Sequence, residues 1–306
     1  MSGLAEILLC KGYKVSGSDL KLSGLTSRLQ SKGAVVYLGH NAQNINGADL
    51  VVYTAAVKDD NPELMEAKKQ NIPCMDRATL LGQIMETFEY AIGVAGAHGK
   101  TTATSMLSVI MNHAGLDPTI LVGGELDEIG GNVRTGKSKY FITEACEYMD
   151  SFLKFHPYIA IILNIDKDHL DYFKDINQIY KSFFEFASLV PESGCVIGCA
   201  DDPLVSRLLK EIDRPAISYG IHQPADWTAV DISFDNEYHS SFTVMNNEEN
   251  IGRFSLNVPG KHNIYNALAC IAACHTAGIS VAIMQEALLH YRGTHRRFEI
   301  KGKTSN

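Results

Sequence analysis

Ile92-Gly93-Val94-Ala95-Gly96-Ala97-His98-Gly99-Lys100-Thr101-Thr102, followed without a break by the helix-favouring run from Ala103 to Asn112, decides the fold. The first four residues read as a buried strand, the glycine-framed stretch as a tight turn, and the remainder as a helix. A turn of this kind lets successive backbone N–H groups converge on one anion, and the helix dipole adds about half a positive charge there. Lys100 contributes a full charge for the β- and γ-phosphates of a nucleotide, and the Thr101 hydroxyl a ligand for Mg²⁺. The general phosphate-loop pattern places a glycine five residues before Gly99, where this chain has Val94. A Lys-Thr-Thr loop suits a triphosphate better than a dinucleotide pyrophosphate, and no Gly-x-Gly-x-x-Gly is present to favour a dehydrogenase.

Outward from this loop, 306 residues leave room for about two domains. Hydrophobic content of 45% with 20% charged residues is that of a globular chain, and no apolar run is long enough for a membrane span. With no basic-then-apolar leader at the N-terminus, a cytoplasmic protein without membrane insertion is expected. A formal charge of -8, with Lys and Arg scattered, argues against nucleic acid as a partner. Seven cysteines with no Cys-x-x-Cys pair read as reduced thiols. Cys270 and Cys274, four apart in an apolar helix, read as small core residues rather than metal ligands with His275. Cys195 and Cys199 read as strand residues.

Helix and strand alternate along the chain, which predicts parallel sheets with helices on their faces. In the first part, helices are expected at Leu4 to Lys11, Leu25 to Lys32 and Pro62 to Gln70. Strands are expected at Tyr13 to Ser16, stopped by Gly17-Ser18-Asp19, and at Ala34 to Tyr37 and Leu50 to Thr54. A helix from Arg77 to Glu89 leads to the phosphate-loop strand. Further strands are expected at Tyr140 to Glu144, Ile159 to Asn164 and Gly194 to Cys199, with helices near Ile176 to Leu189, Leu204 to Ile212 and Asn263 to Ala277. From Ser218 to Leu256 the pattern turns to period two, which predicts antiparallel strands at one edge.

Three clusters fall where an α/β ATPase needs them. Glu144 ends a strand at the carboxyl edge, where a carboxylate completes an Mg²⁺ shell begun by Thr101. Asn164-Ile165-Asp166-Lys167-Asp168-His169-Leu170-Asp171 gathers groups suited to a second metal or to a transferring phosphoryl; the alternative is a helix N-cap with a surface histidine. Asn263 and Asn266 stand before an alanine-rich helix, where they either read an adenine edge or cap the helix. Asp19 closes the second element and either meets a ribose or uridine or caps a turn.

Gly96-x-His98-Gly99-Lys100-Thr101-Thr102, Glu144-Ala145-Cys146-Glu147-Tyr148-x-x-Ser151-Phe152-Leu153, Asn164-Ile165-x-x-Asp168-His169-Leu170-Asp171, Pro259-Gly260-x-His262-Asn263-x-x-Asn266-Ala267 and Arg296-Arg297-Phe298-Glu299 occur in the order found in Mur ligases. The chain resembles that family over its whole length. The resemblance implies an α/β fold: a Rossmann-like N-terminal domain over residues 1–88, missing its first strand, and a central P-loop ATPase-type αβ domain over 89–297 with an antiparallel edge. Residues 298–306 would be the stub of an absent C-terminal domain. It implies ATP-dependent ligation of L-alanine to UDP-N-acetylmuramate through an acyl phosphate, with ATP and Mg²⁺ as cofactors. Other Mur-type ligases, a muropeptide-recycling one among them, and a non-catalytic nucleotide-binding fragment are the alternatives.

By resemblance, Gly96, Ala97, His98, Gly99, Lys100, Thr101 and Thr102 cradle the phosphates, with Asn263 and Asn266 at the adenine. Thr101 and Glu144 hold the first Mg²⁺ and His169 the second. Arg297 reaches the transferring phosphoryl, His98 faces the muramyl carboxylate, and Asp19 and Thr54 meet the substrate. The family's opening strand and Gly-x-Gly-Gly-x-Gly loop would precede Met1, so a thinly paired N-terminal sheet and an isolated chain inactive as a ligase are expected. Several sister ligases carry a carbamylated lysine where this register has Phe184; Lys181 lies one turn off and is not assigned that role.

Overall fold

The computed structural model describes residues 1–293. The chain divides into two compact units between Ile84 and Met85.

The first unit begins with α1 (Ser2–Cys10), β1 (Ser16–Asp19), α2 (Gly24–Ser31) and β2 (Val35–Leu38), and continues with β3 (Val51–Tyr53), α3 (Pro62–Lys69), β4 (Cys74–Asp76) and α4 (Arg77–Glu86). β1 pairs in parallel with β2, and β3 with β4, as two separate two-stranded sheets. Each strand thus has one ladder neighbour, and Leu20, Leu38 and Val35 remain exposed. Gly17-Ser18-Asp19, expected to stop β1, is instead most of the strand. Register pairing of Ser16 with Val35 through Asp19 with Leu38 overrides the local turn preference. Buried Glu6 on α1 accepts from Arg28 at 3.1 Å and from Lys32, which ties α1 to α2.

The second unit is a ten-stranded sheet of order β14-β13-β12-β11-β10-β9-β5-β8-β6-β7. Its strands are β5 (Tyr90–Ala95), β6 (Thr119–Leu126), β7 (Gly131–Arg134), β8 (Tyr140–Glu144), β9 (Ile159–Ile162), β10 (Cys195–Cys199), β11 (Ala216–Gly220), β12 (Trp227–Phe234), β13 (His239–Asn246) and β14 (Glu249–Pro259). Its helices are α5 (Lys100–His113), α6 (Ile176–Ser188), α7 (Pro203–Glu211), α8 (His262–Thr276) and α9 (Val281–His290). Pairing is parallel from β6 across to β12. The antiparallel edge predicted after Ser218 is β12 to β14, while Ser218 itself lies in β11, parallel to β10. β7 gives the sheet a second antiparallel edge that was not foreseen.

β5 lies between β8 and β9, with β6 to β8 all on one side of it and β9 to β14 all on the other, so the chain switches sides of the sheet there. A crevice opens at the carboxyl ends of strands at such a switch point. Gly93 admits Phe186 of α6 and Gly198 admits Val205 and Leu209 at α7 on one face; α5, α8 and α9 build the core on the other. α8 is buried along most of its length, Cys270 and Cys274 included. Burial pushes both thiols up in pKa, and those of Cys195 and Cys199 on β10 to about 11, so all four behave as small apolar residues.

Candidate functional site

β5 delivers the chain into a loop whose shape two glycines permit. Gly96 has φ +146° and Gly99 φ +87°, the latter as the residue preceding α5. Around Gly99 there is also no room: a Cβ there would fall 2.8 Å from Asn266 Oδ1 and 3.2 Å from Leu163 Cδ1. From below, Asn164 clamps the loop. Its Oδ1 accepts the His98 N–H at 2.8 Å, its Nδ2 donates to the His98 carbonyl at 3.0 Å, and its own carbonyl accepts the Ala97 N–H at 3.3 Å. A side-chain amide paired with a backbone amide in this way fixes the loop and takes up the Ala97 and His98 N–H groups, so that an anion would be met by the N–H groups at the start of α5. Thr101 is buried in the first turn of α5, with Thr102 half-buried beside it.

Lys100 folds back into the loop rather than outward. Its Nζ donates to the Gly96 carbonyl at 2.5 Å and the Ala97 carbonyl at 3.4 Å, and to both Glu147 oxygens at 3.0 and 3.2 Å. Glu147 has only 2% of its side chain exposed. Its position depends on a strained segment: Met149 and Asp150 both take left-handed conformations, φ 54° and 52°. Each such residue costs about 1 to 2 kcal/mol. Asp150 holds the bend, accepting from Ser182 on α6 and from the Tyr172 hydroxyl at 2.6 Å while its N–H donates to the Glu147 carbonyl at 3.0 Å.

His169, itself at φ 52°, faces the same pair. Its Nε2 is 3.9 Å from Glu147 Oε1 and 3.9 Å from Asp168 Oδ2, and its ring packs on Tyr148 at 4.6 Å between centroids. Glu147, Asp168 and His169 each offer a ligand atom within 4.8 Å of the others. Asp168 is not a helix cap: its Oδ1 accepts the His169 N–H, and α6 is capped by Asp175.

The structure brings together Lys100, His169 and the loop, and adds Glu147 and Asn164, to which the sequence alone assigns no role. Two acids three residues apart across a strand end, Glu144 and Glu147, were the available signal. Glu144 stands outside the three-residue group; it accepts the Gly123 N–H of β6 at 2.6 Å. His98 is exposed at the rim, its Nε2 3.5 Å from Asp166. Lys181 is 78% exposed and pairs with Glu185. In the first unit, Asp19 is exposed and accepts the Lys21 N–H, and Thr54 follows β3 half-buried. Arg297 lies outside the described residues.

Asn263 and Asn266 are both buried at the start of α8; Asn263 donates to the Pro259 carbonyl and accepts from Asn266. Asp201 fixes this end of the helix. It accepts the N–H groups of Ile221, His222 and Gln223 and the Tyr265 hydroxyl of α8, at 2.7 to 3.2 Å. Burial pushes its pKa up, but these hydrogen bonds outweigh it and hold the carboxyl below the ordinary value. A folded pKa below the unfolded one stabilises above the unfolded value and loses that stabilisation as pH falls through the folded one. Asp201→Asn is expected to cost about 1 to 2 kcal/mol in urea unfolding at pH 7, with the gap to wild type closing below about pH 4.

Comparison with known proteins finds relatives of both units. The Mur ligase middle domain matches residues 94–274, and the model described as Mur ligase family, catalytic domain, matches residues 1–89. The UDP-N-acetylmuramate–L-alanine ligase of Acetivibrio thermocellus is 56% identical over all of this chain, and that of Clostridium beijerinckii 54% over 99% of it. The chain spans 66% of the length of these relatives. Among solved structures, the UDP-N-acetylmuramate-alanine ligase of Thermotoga maritima superposes with a TM-score of 0.86 at 30% identity, covering 99% of this chain and 69% of that one. The UDP-N-acetylmuramate:L-alanyl-gamma-D-glutamyl-meso-diaminopimelate ligase of Neisseria meningitides gives 0.87 at 29%, covering 97% and 96%. No helix among the described residues is long and apolar enough to cross a membrane. With two adjoining family domains matched and the phosphate loop and its facing acids in place, the chain belongs to the Mur ligase family.

Proposed function

We propose that the chain carries the nucleotide-binding and acid-activating part of a cytoplasmic, ATP-dependent ligase that joins L-alanine to UDP-N-acetylmuramate in peptidoglycan synthesis. The observation that supports this most is the meeting of a glycine-framed loop at the start of α5, the Lys100 ammonium and the Glu147, Asp168 and His169 side chains at one sheet edge. Relatives named for this reaction at 52–56% identity support the choice of substrates.

The donor set fits a divalent cation. Two carboxylates and an imidazole meet within 4.8 Å, and their net negative charge and oxygen donors suit Mg²⁺ or Mn²⁺. Glu147, Asp168 and His169 would hold one ion, and Thr101 with Glu144 another; bound ions neutralise charge on the phosphates. Lys100 and the backbone N–H groups at the start of α5, which a helix leaves without an internal partner, bind and orient the β- and γ-phosphates. Phosphoryl transfer asks a protein chiefly for positioning and charge, which this loop supplies. His98 at the rim receives the muramyl carboxylate that takes the phosphoryl, and Arg297 steadies that group. The alanine amine attacks the carbonyl carbon of the resulting acyl phosphate, forming the amide C–N bond as the C–O bond to phosphate breaks and inorganic phosphate leaves, the amine giving up a proton. Asn263 and Asn266 border the adenine; Asp19 and Thr54 serve the UDP-sugar.

Calorimetric titration of the chain with ATP in Mg²⁺, and separately with UDP-N-acetylmuramate, tests the reading. One saturable site for each is expected. Absence of ATP binding would remove the basis of the assignment.

A further inference from the structure

Lys100 and Glu147 form a buried ion pair at the spot where a nucleotide phosphate would need the lysine and a cation would need the carboxylate. Neither group can be taken alone without stranding the other. The ammonium has 16% of its side chain exposed and the carboxylate 2%, so solvent cannot replace the lost partner.

We infer that nucleotide and divalent cation enter by exchange: Lys100 passes from Glu147 to the phosphates, and the cation takes over from Lys100 as the counter-charge of Glu147, beside Asp168 and His169. The inference rests on the nucleotide reading above and adds to it a reason for obligate pairing of the two ligands. Glu147 is then a positioning residue that holds Lys100 inside the loop until both arrive. The strained Met149–Asp150 bend, fastened to Ser182 and Tyr172, keeps the carboxylate in that place. Coupling between two ligands is reciprocal, so removing the pair from either side must show in the binding of the other ligand.

ADP binding is measured by calorimetry in EDTA and in Mg²⁺. In EDTA, Glu147→Gln is expected to bind ADP about tenfold more tightly than wild type, because its lysine is already free, and to gain correspondingly less from Mg²⁺. Asp171→Asn separates exchange from simple repulsion of phosphate. It removes a charge of the same sign from the stretch that holds Asp168 and His169, but Asp171 meets the Tyr148 hydroxyl and not Lys100. Its metal-free ADP affinity is expected to change by less than about threefold, within ordinary surface-charge effects. Equal gains in the two variants, or none in Glu147→Gln, would overturn the exchange while leaving Mg²⁺-ADP binding by wild type, and the nucleotide reading, intact. Should wild type bind no ADP even with Mg²⁺, both fall together. If Glu147→Gln fails to fold, Lys100→Met decides from the other side: Mn²⁺ titration without nucleotide, followed by electron paramagnetic resonance, is expected to show tighter binding than in wild type. No gain there would overturn the proposal.

Discussion

Lys100→Ala is expected to abolish nucleotide binding and, separately, to lower the stability of the chain by about 3 to 5 kcal/mol, the usual cost of breaking a buried pair from one side. A phosphate-loop lysine is ordinarily thought of as a ligand contact whose removal leaves the fold alone. Here the ammonium is also the partner of a carboxylate that is 98% covered, by the 2% exposure of the Glu147 side chain. Removing it leaves an uncompensated charge in a site from which water is excluded. In a unit of this size, 3 kcal/mol corresponds to a fall in Tm of about 6 to 12 °C. Adding Glu147→Gln is expected to return most of that stability, since an amide can be left near the Gly96 and Ala97 carbonyls at far lower cost. ATP binding stays lost in the double variant. Thermal unfolding and calorimetry on wild type, both single variants and the double variant separate the two roles. A Lys100→Ala protein with unchanged Tm would show that Glu147 finds another partner.

The parts of this site that could be read along the chain are those whose signals are local. A strand, two glycines at positive φ, a lysine and a helix follow one another in order, so β5, the loop and α5 were legible together. The apolar runs of β8, β9 and β10 likewise carry their own boundaries. Glu147 was not legible because its role comes from meeting Lys100, 47 residues away, through a left-handed bend at Met149 and Asp150 that no propensity marks. Asn164 stands in a polar cluster along the chain, yet its clamp on His98 spans 66 residues. β6 was overlooked for a related reason. Gly123-Gly124 looks like a turn, but Gly123 lies inside the strand because the Glu144 carboxylate comes within 3 Å of where a Cβ would stand. β1 follows the same rule: a turn-like Gly-Ser-Asp is drawn into a ladder by its neighbour.

Gly99→Ala is the substitution that tests whether the loop's shape, rather than its charge, carries binding. Two costs meet at this position. The backbone sits at φ +87°, which an alanine tolerates at about 1 to 2 kcal/mol. The new methyl would also lie 2.8 Å from Asn266 Oδ1 and 3.2 Å from Leu163 Cδ1. Asn266 cannot swing aside freely, being buried and bonded to Asn263. Crowding of that kind adds about 1 to 3 kcal/mol, for a total near 2 to 5 kcal/mol. Gly115→Ala isolates the first cost, because Gly115 has φ +72° at the far end of the same helix with nothing within 4 Å of the added carbon. It is expected to cost only about 1 kcal/mol and to leave ATP binding unchanged. At Gly99 the strain is relieved by moving the loop, and a displacement of about 1 Å in a positioning element costs on the order of 100-fold. ATP affinity in Mg²⁺ should therefore fall by that factor in Gly99→Ala while Lys100 and every charged group remain. Matched affinities in the two glycine variants would mean that the lysine and the cation ligands hold the phosphates without help from the ordered N–H groups.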